Sequence, residues 1–232
     1  MEGLELSSLD LSRNGSITSV SSLANVSVYK LSLQSTRISN ADSLALLTHV
    51  ISLDLSRSGF KSLEQLSALT QLEYLDLTNN QNTNIDALAN LPLRGLYLAN
   101  NLINDLKIFS ELSTLEELDL SKNGISDLTP LSALTQLTLL NLSKNTISSI
   151  EALADLTNLF KLDLSENTLL DISKLETLEG LSDLNLSRND ISDLSPLANL
   201  SNLNTLLLSY NQIEDLDPLS ELDLITLDLE HN

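Results

Sequence analysis

The chain has 232 residues, 42% of them apolar, which is enough to enclose a sizeable core, and 12 Lys+Arg against 32 Asp+Glu leave a net charge of −20. A field of that sign repels phosphate backbones and anionic headgroups, so nucleic acid and direct membrane contact are excluded as partners. The absence of cysteine removes disulfides, thiolate metal sites and cysteine nucleophiles, and aromatic residues at 3% leave leucine to fill the interior.

From the amino terminus, Met1 to Ser7 shows neither a basic region followed by an apolar run nor a membrane-spanning stretch. The pattern Leu-x-Leu-x-x-Asn then begins and recurs to the end. It starts at Leu9, Leu31, Leu53, Leu75, Leu96, Leu118, Leu140, Leu162, Leu184, Leu206 and Leu227, at spacings of 22 residues apart from two of 21. Such a period is the mark of a tandem array, in which one unit cannot bury its apolar edge but stacked units can.

In the unit that begins at Leu118, alternation of Leu118 and Leu120 predicts a short strand with one face inward. Successive units then supply successive parallel strands. Asn123 stands where the strand must turn, and its amide can both donate to and accept from backbone groups. The same position holds Asn14, Asn80, Asn101, Asn145, Asn167, Asn189, Asn211 and Asn232, a structural asparagine ladder. Ile125, Leu128, Leu131 and Leu134 follow at intervals of three, which suits a 3₁₀ turn better than an α-helix. Pro130, Pro196 and Pro218 sit early in these turns, where a missing amide hydrogen does no harm.

These residues resemble the 22-residue class of leucine-rich repeat proteins. The segments from Ile125 to Leu137 and from Ile191 to Leu203 are especially similar to repeats of the bacterial internalins, and the resemblance covers essentially the whole chain. It implies an α/β solenoid, a right-handed curved array with a parallel β-sheet on the concave face and short 3₁₀ or turn segments on the convex face. Several units depart from the pattern. The first has its apolar positions displaced by one at Gly15-Ser-Ile17, and Thr36 and Ser58 replace the ladder asparagine, which predicts turns held less firmly. Asn82 stands in place of an isoleucine, and the stretch from Leu91 to Leu93 is one residue short, so the fourth unit is expected to be irregular.

Residues 1–232 read as a single domain of about ten and a half repeats. No polar cap is evident on either side. The array is therefore expected to be a fragment of a larger chain, or to have its ends covered by a partner; end-to-end self-association through the terminal leucines is also permitted.

Strand residues flanking the paired leucines point away from the core. The position between the leucines is Asp10, Asp54, Asp76, Asp119, Asp163 or Asp228 in six units; two residues on, Ser12, Ser56, Thr78, Ser121, Ser143, Ser165, Ser187 and Ser209 form a hydroxyl column, and Arg13, Arg57, Lys122, Lys144 and Arg188 a basic one after that. Neighbouring aspartates about 4.8 Å apart repel one another unless solvent, salt or the basic column relieves them. The bland reading is a solvated face. The functional reading is a polar surface for a protein partner, with apolar exceptions marking where contact falls: Tyr74 and Tyr97 on adjacent strands, and Leu139, Leu207 and Tyr210. The candidate partner-binding set is thus Asp54, Tyr74, Asp76, Tyr97, Asp119, Leu139, Asp163, Leu207 and Tyr210.

Catalysis finds little support. His49 and His231 lie eight strands apart, roughly 40 Å at the usual strand spacing, and no glycine-rich phosphate loop or dinucleotide fingerprint is present. No catalytic residue, resident metal or cofactor is assigned. The aspartate column has oxygen ligands for calcium, but a regular ladder spreads them out instead of converging them. The resemblance implies a non-enzymatic recognition module that binds a protein on its concave face, in an internalin-like bacterial surface or secreted protein. The alternatives are a cytoplasmic scaffold similar to the phosphatase-regulatory leucine-rich repeat proteins, whose aromatic set this sequence matches incompletely because it has no Trp, and a structural spacer in a long surface protein.

Overall fold

The computed structural model describes residues 4–232, which form two compact units, one ending at Ile103 and the other running from Asn104 to Asn232. In the first, β1 (Leu4–Asp10), β2 (Val26–Ser32), β3 (Ser52–Asp54), β4 (Tyr74–Asp76) and β5 (Gly95–Tyr97) pair in chain order, all parallel. In the second, β6 (Glu117–Asp119), β7 (Leu139–Asn141), β8 (Lys161–Asp163), β9 (Asp183–Asn185), β10 (Thr205–Leu207) and β11 (Thr226–Asp228) do the same. The first leucine of each pair stands in register, Leu31 on Leu53 on Leu75 on Leu96 in one unit and Leu118 on Leu140 on Leu162 on Leu184 on Leu206 in the other. That register follows from the repeat length, because units of equal length return each leucine to the same height.

Parallel strands need a crossover, and here it runs through 3₁₀ turns such as Thr129–Ala133, Ser173–Thr177 and Ser195–Leu197. Pro130, Pro196 and Pro218 are the second residues of Thr129–Ala133, Ser195–Leu197 and Asp217–Leu219. The solenoid of short parallel strands and 3₁₀ turns expected from the sequence is therefore the observed fold. Leucines spaced by three line the inside, and Leu131, Leu134 and Leu137 are fully enclosed. At about 1.5–3 kcal/mol for each large aliphatic side chain removed from water, this column supplies the main favourable term in every repeat.

The turns after the strands are held by side-chain amides. Asn145 donates to the carbonyl of Leu142 in its own turn (2.9 Å) and to that of Leu120 in the preceding repeat (3.1 Å), and its Oδ1 accepts the amides of Asn123 (3.2 Å) and Ile125 (3.1 Å). Asn167, Asn189 and Asn211 repeat the arrangement, and Asn80, Asn101 and Asn232 likewise reach a carbonyl of the repeat before them. Asn14 bonds its own turn, at Leu11 and Ser12, and Asn123 does so at Leu120 and Ser121. Thr36 and Ser58 are shorter: each hydroxyl donates to its own turn, to Leu33 and Leu55 at 2.6 Å, and that of Ser58 also lies 3.4 Å from Asn80 Oδ1 in the next repeat. Asn82, buried at the isoleucine position, donates to the Phe60 carbonyl (3.1 Å), while its Oδ1 meets no donor.

The residue before each ladder position adopts a left-handed conformation although it is not glycine; Lys122, Lys144, Glu166, Arg188 and Tyr210 all have φ between 54° and 58°. Such a conformation costs on the order of 1 kcal/mol per residue. It is held because the amide of the same residue donates to the next repeat, Lys122 to Ser143 (2.8 Å) and Arg188 to Ser209 (2.8 Å).

On the turn side, Asp105, Asp127, Asp171 and Asp193 each accept the amide two residues on, which begins the 3₁₀ segment. The Thr129 hydroxyl and amide lower the Asp127 pKa, and the Ser195 amide and hydroxyl lower that of Asp193. A folded pKa below the unfolded value gives stability that is present above about pH 4 and is lost as pH falls through the folded value. The double variant Asp127→Asn/Asp193→Asn is expected to flatten the acid limb of a melting-temperature profile below pH 4, leaving the profile near pH 7 parallel to the parent; an unchanged acid limb would show that these caps do not carry it.

Candidate functional site

Alternate strand residues form an outward face on each unit. In the first, Ser52, Tyr74 and Gly95 make one row and Asp54, Asp76 and Tyr97 the next. In the second the rows are Glu117, Leu139, Lys161, Asp183, Thr205, and Asp119, Asn141, Asp163, Asn185, Leu207.

The aspartates between the paired leucines are engaged within the protein. Asp54 Oδ1 accepts the Ser56 amide (2.9 Å) and hydroxyl (2.7 Å), and its Oδ2 accepts the hydroxyl of Ser32 from the neighbouring strand (3.0 Å). Asp163 accepts the Ser165 amide (2.9 Å) and hydroxyl (2.6 Å), and the Asn185 amide group (3.1 Å). Asp76 and Asp119 accept the amides of Thr78 and Ser121, and Asn141 reaches Asp119 at 3.4 Å. In the second unit, then, Asp and Asn alternate down the row. Each carboxylate faces a donor rather than another carboxylate, and repulsion is relieved by amides and hydroxyls instead of the basic column. Lys144 pairs with Glu166 (3.2 Å), a partly exposed contact. The hydroxyl column is turned inward as well: Ser56, Ser143, Ser165 and Ser209 are buried.

Tyr74 and Tyr97 are half-buried and come together through a glycine. A Cβ placed on Gly95 would stand 2.6 Å from Tyr74 Cδ1 and 3.4 Å from the Tyr97 hydroxyl, so the Tyr74 ring lies across the backbone of β5 where a side chain is missing. The result is a fixed aromatic platform. Its orientation comes from the register that sets Tyr74 opposite Gly95, which the sequence reading did not use.

In the second unit, Leu207 forms one wall of a recess of about 190 Å³, lined also by Lys161, Leu162, Asp163, Asp183, Leu184, Asn185 and Thr205. Leu139 lies on β7, three strands from Leu207 in the same face, half-buried. Phe160, missed in the sequence reading, is 53% exposed immediately before Lys161. Its signal was available, since an aromatic residue there interrupts a column of Glu116, Thr138, Ser182 and Asn204. Tyr210 leaves the rows altogether. From its left-handed position it carries the Arg188 guanidinium at 4.0 Å and stacks on His231 at 4.5 Å between ring centres. Asp54, Tyr74, Asp76 and Tyr97 thus fall together on the first unit and Asp119, Leu139, Asp163 and Leu207 on the second, with Tyr210 at the strand exit. Among the described residues no three His, Asp or Glu side chains converge as a metal-ligand set, and no helix is long and apolar enough to cross a membrane.

The sequence model for leucine-rich repeats in two copies matches residues 48–90, 93–133 and 179–221, and the chain belongs to the leucine-rich repeat family. No match was found among curated proteins. Of solved structures, an internalin (inlF) of Listeria monocytogenes is 32% identical with a TM-score of 0.83, over 93% of this chain and 72% of that one. Internalin C2 of the same organism is 35% identical with a TM-score of 0.78, over 81% and 84%. The Arabidopsis receptor kinase HAESA, solved in complex with the peptide hormone IDA and the co-receptor SERK1, is 26% identical with a TM-score of 0.82, over 96% of this chain and 41% of its own. The chain is therefore internalin-like, and its fold and neighbours suggest a protein-interaction module; proteins of this kind are typically non-enzymatic.

The platform makes a coupled prediction. Gly95→Ala forces the Tyr74 ring to move and should lower stability by about 1 kcal/mol. In a Tyr74→Ala background the same change should be neutral or stabilising, because the added methyl then meets only the Tyr97 hydroxyl at an ordinary contact distance of 3.4 Å and restricts the unfolded chain. Urea titrations of the four proteins measure this; equal losses in both backgrounds would mean that the ring does not lie on Gly95.

Proposed function

We propose that the chain is a non-enzymatic recognition module that binds a protein partner on its strand face, as part of an internalin-like bacterial surface or secreted protein. The observation that carries this reading is where the repeat pattern is broken. Inward positions conform to leucine in almost every unit, and the aspartate positions are tied into an internal network. Large side chains that break the polar pattern collect on the strand face and its entry edge, as Tyr74 and Tyr97 on the first unit and Leu139, Phe160 and Leu207 on the second. Tyrosine in a fixed orientation offers contact area with little entropy left to lose, which suits an interface anchor. Likeness to internalins at 32–35% identity supports the bacterial surface setting, and the peptide and co-receptor bound to HAESA show that a related array can hold protein ligands.

The test replaces Tyr97 with Arg and measures capture of a cross-linked partner from the native host or its target cells, alongside thermal melting. Capture is expected to be lost, with a melting temperature within about 2 °C of the parent, since a half-buried face residue contributes little to folding. Undiminished capture by the variant would rule out this face.

A further inference from the structure

We propose that the recess over β8, β9 and β10 receives an arginine side chain of the partner; the proposal rests on the strand face being the recognition surface. Its size is the first reason. At about 190 Å³ it falls below the roughly 300–1,000 Å³ of sites that enclose a whole small molecule, and it fits one long side chain.

Its chemistry is the second reason. Leu207 and the edges of Leu162 and Leu184 give an apolar wall for a methylene stem, and carboxylates stand where the charged head would arrive. Asp163 is already held by three donors, whereas the Asp183 carboxylate makes no hydrogen bond or ion pair among the described residues. Asp183 is therefore the open acceptor, with the hydroxyl-bearing Thr205 opposite it on β10. Three ionic groups line the recess, Asp163, Asp183 and Lys161, so the lining is acidic by one charge on a chain whose net charge is −20. That field raises the local concentration of cationic partners. A guanidinium suits the site better than an ammonium because its planar fork meets a carboxylate in two hydrogen bonds and sheds water more easily.

Lys161 has a definite part in this arrangement. It stands opposite Asp183 in the sheet register, is exposed, and forms no ion pair with it. It thus weakens a cationic ligand's hold and sets a threshold that the stronger-binding arginine passes.

The test uses the full chain, isotopically labelled, titrated at low salt with N-acetyl-Gly-Arg-Gly-amide and with the corresponding Lys and Glu peptides. The arginine peptide is expected to shift the amides of residues 161–163, 183–185 and 205–207 saturably, and more tightly than the lysine peptide. Asp183→Asn, which keeps the shape, should weaken it about ten-fold, and Lys161→Gln should tighten it about three-fold, in line with single charges a few ångströms away near a protein surface. Unaltered amide dispersion confirms that both variants remain folded. An arginine titration indifferent to Asp183→Asn, an equal response to the glutamate peptide, or no saturable shift would overturn the proposal. Any of these, together with lost partner capture in Tyr97→Arg, would remove the subsite alone; capture that survives Tyr97→Arg would remove the surface beneath it.

Discussion

A side-chain amide that reaches both its own turn and the turn before it is the interaction on which this molecule depends. Each repeat has a strand too short to stand alone and a turn that places backbone groups inside the protein, where an unmade hydrogen bond costs about 1–3 kcal/mol. In all but two repeats one asparagine stands at this position, and it can meet several of those groups at once, as Asn145 does with Leu120, Leu142, Asn123 and Ile125. Because the partners belong to two repeats, satisfying the turn and fixing the distance between repeats become the same act. The left-handed residue before that position does not depend on the asparagine, since Ser35 and Arg57 adopt it ahead of Thr36 and Ser58, held by amide bonds to the next repeat.

The strand face inherits that rigidity. Held in register, aspartate can be followed by asparagine on the next strand, and a row that would otherwise be mutually repulsive becomes a hydrogen-bonded series, as at Asp163 and Asn185. This separates the charges of the face into two kinds. Those engaged internally support the sheet, and the side chains of Asp183 and Lys161 stand opposite each other without an ion pair between them. The same register lays Tyr74 on Gly95. Outward and inward residues alternate in one repeat, so a repeat can exchange its outward residues while keeping its leucines and its ladder residue.

Much of the fold was legible in the sequence, because a leucine period of 22 residues leaves little freedom: it fixed the strands, their parallel register, the 3₁₀ turns and the ladder positions. The site was read less well, for physical reasons. Asp54 and Asp163 look like free surface acids in the sequence, and only the geometry of the strand exit shows their oxygens turned toward Ser56 and Ser165. Tyr74 is visible as an exception, but its meaning depends on a glycine one repeat later. Tyr210 was assigned to the outward face, whereas the left-handed turn directs it along the strand exit to Arg188 and His231. Left-handed Lys, Arg and Glu carry no local signature, since tertiary hydrogen bonds impose the conformation against their intrinsic preference.

The most direct measurement of the ladder's role is native-state hydrogen exchange at the amides of Asn123 and Ile125, compared between the parent protein and Asn145→Ala. Both amides donate to Asn145 Oδ1, and its loss strands these two donors, whereas the Leu120 and Leu142 carbonyls keep the side-chain amides of Asn123 and Asn167. The account predicts that their protection falls by about 30-fold or more, equivalent to about 2 kcal/mol. Protection that stays at the parent level would contradict it, and would place the spacing of the repeats in the leucine column alone.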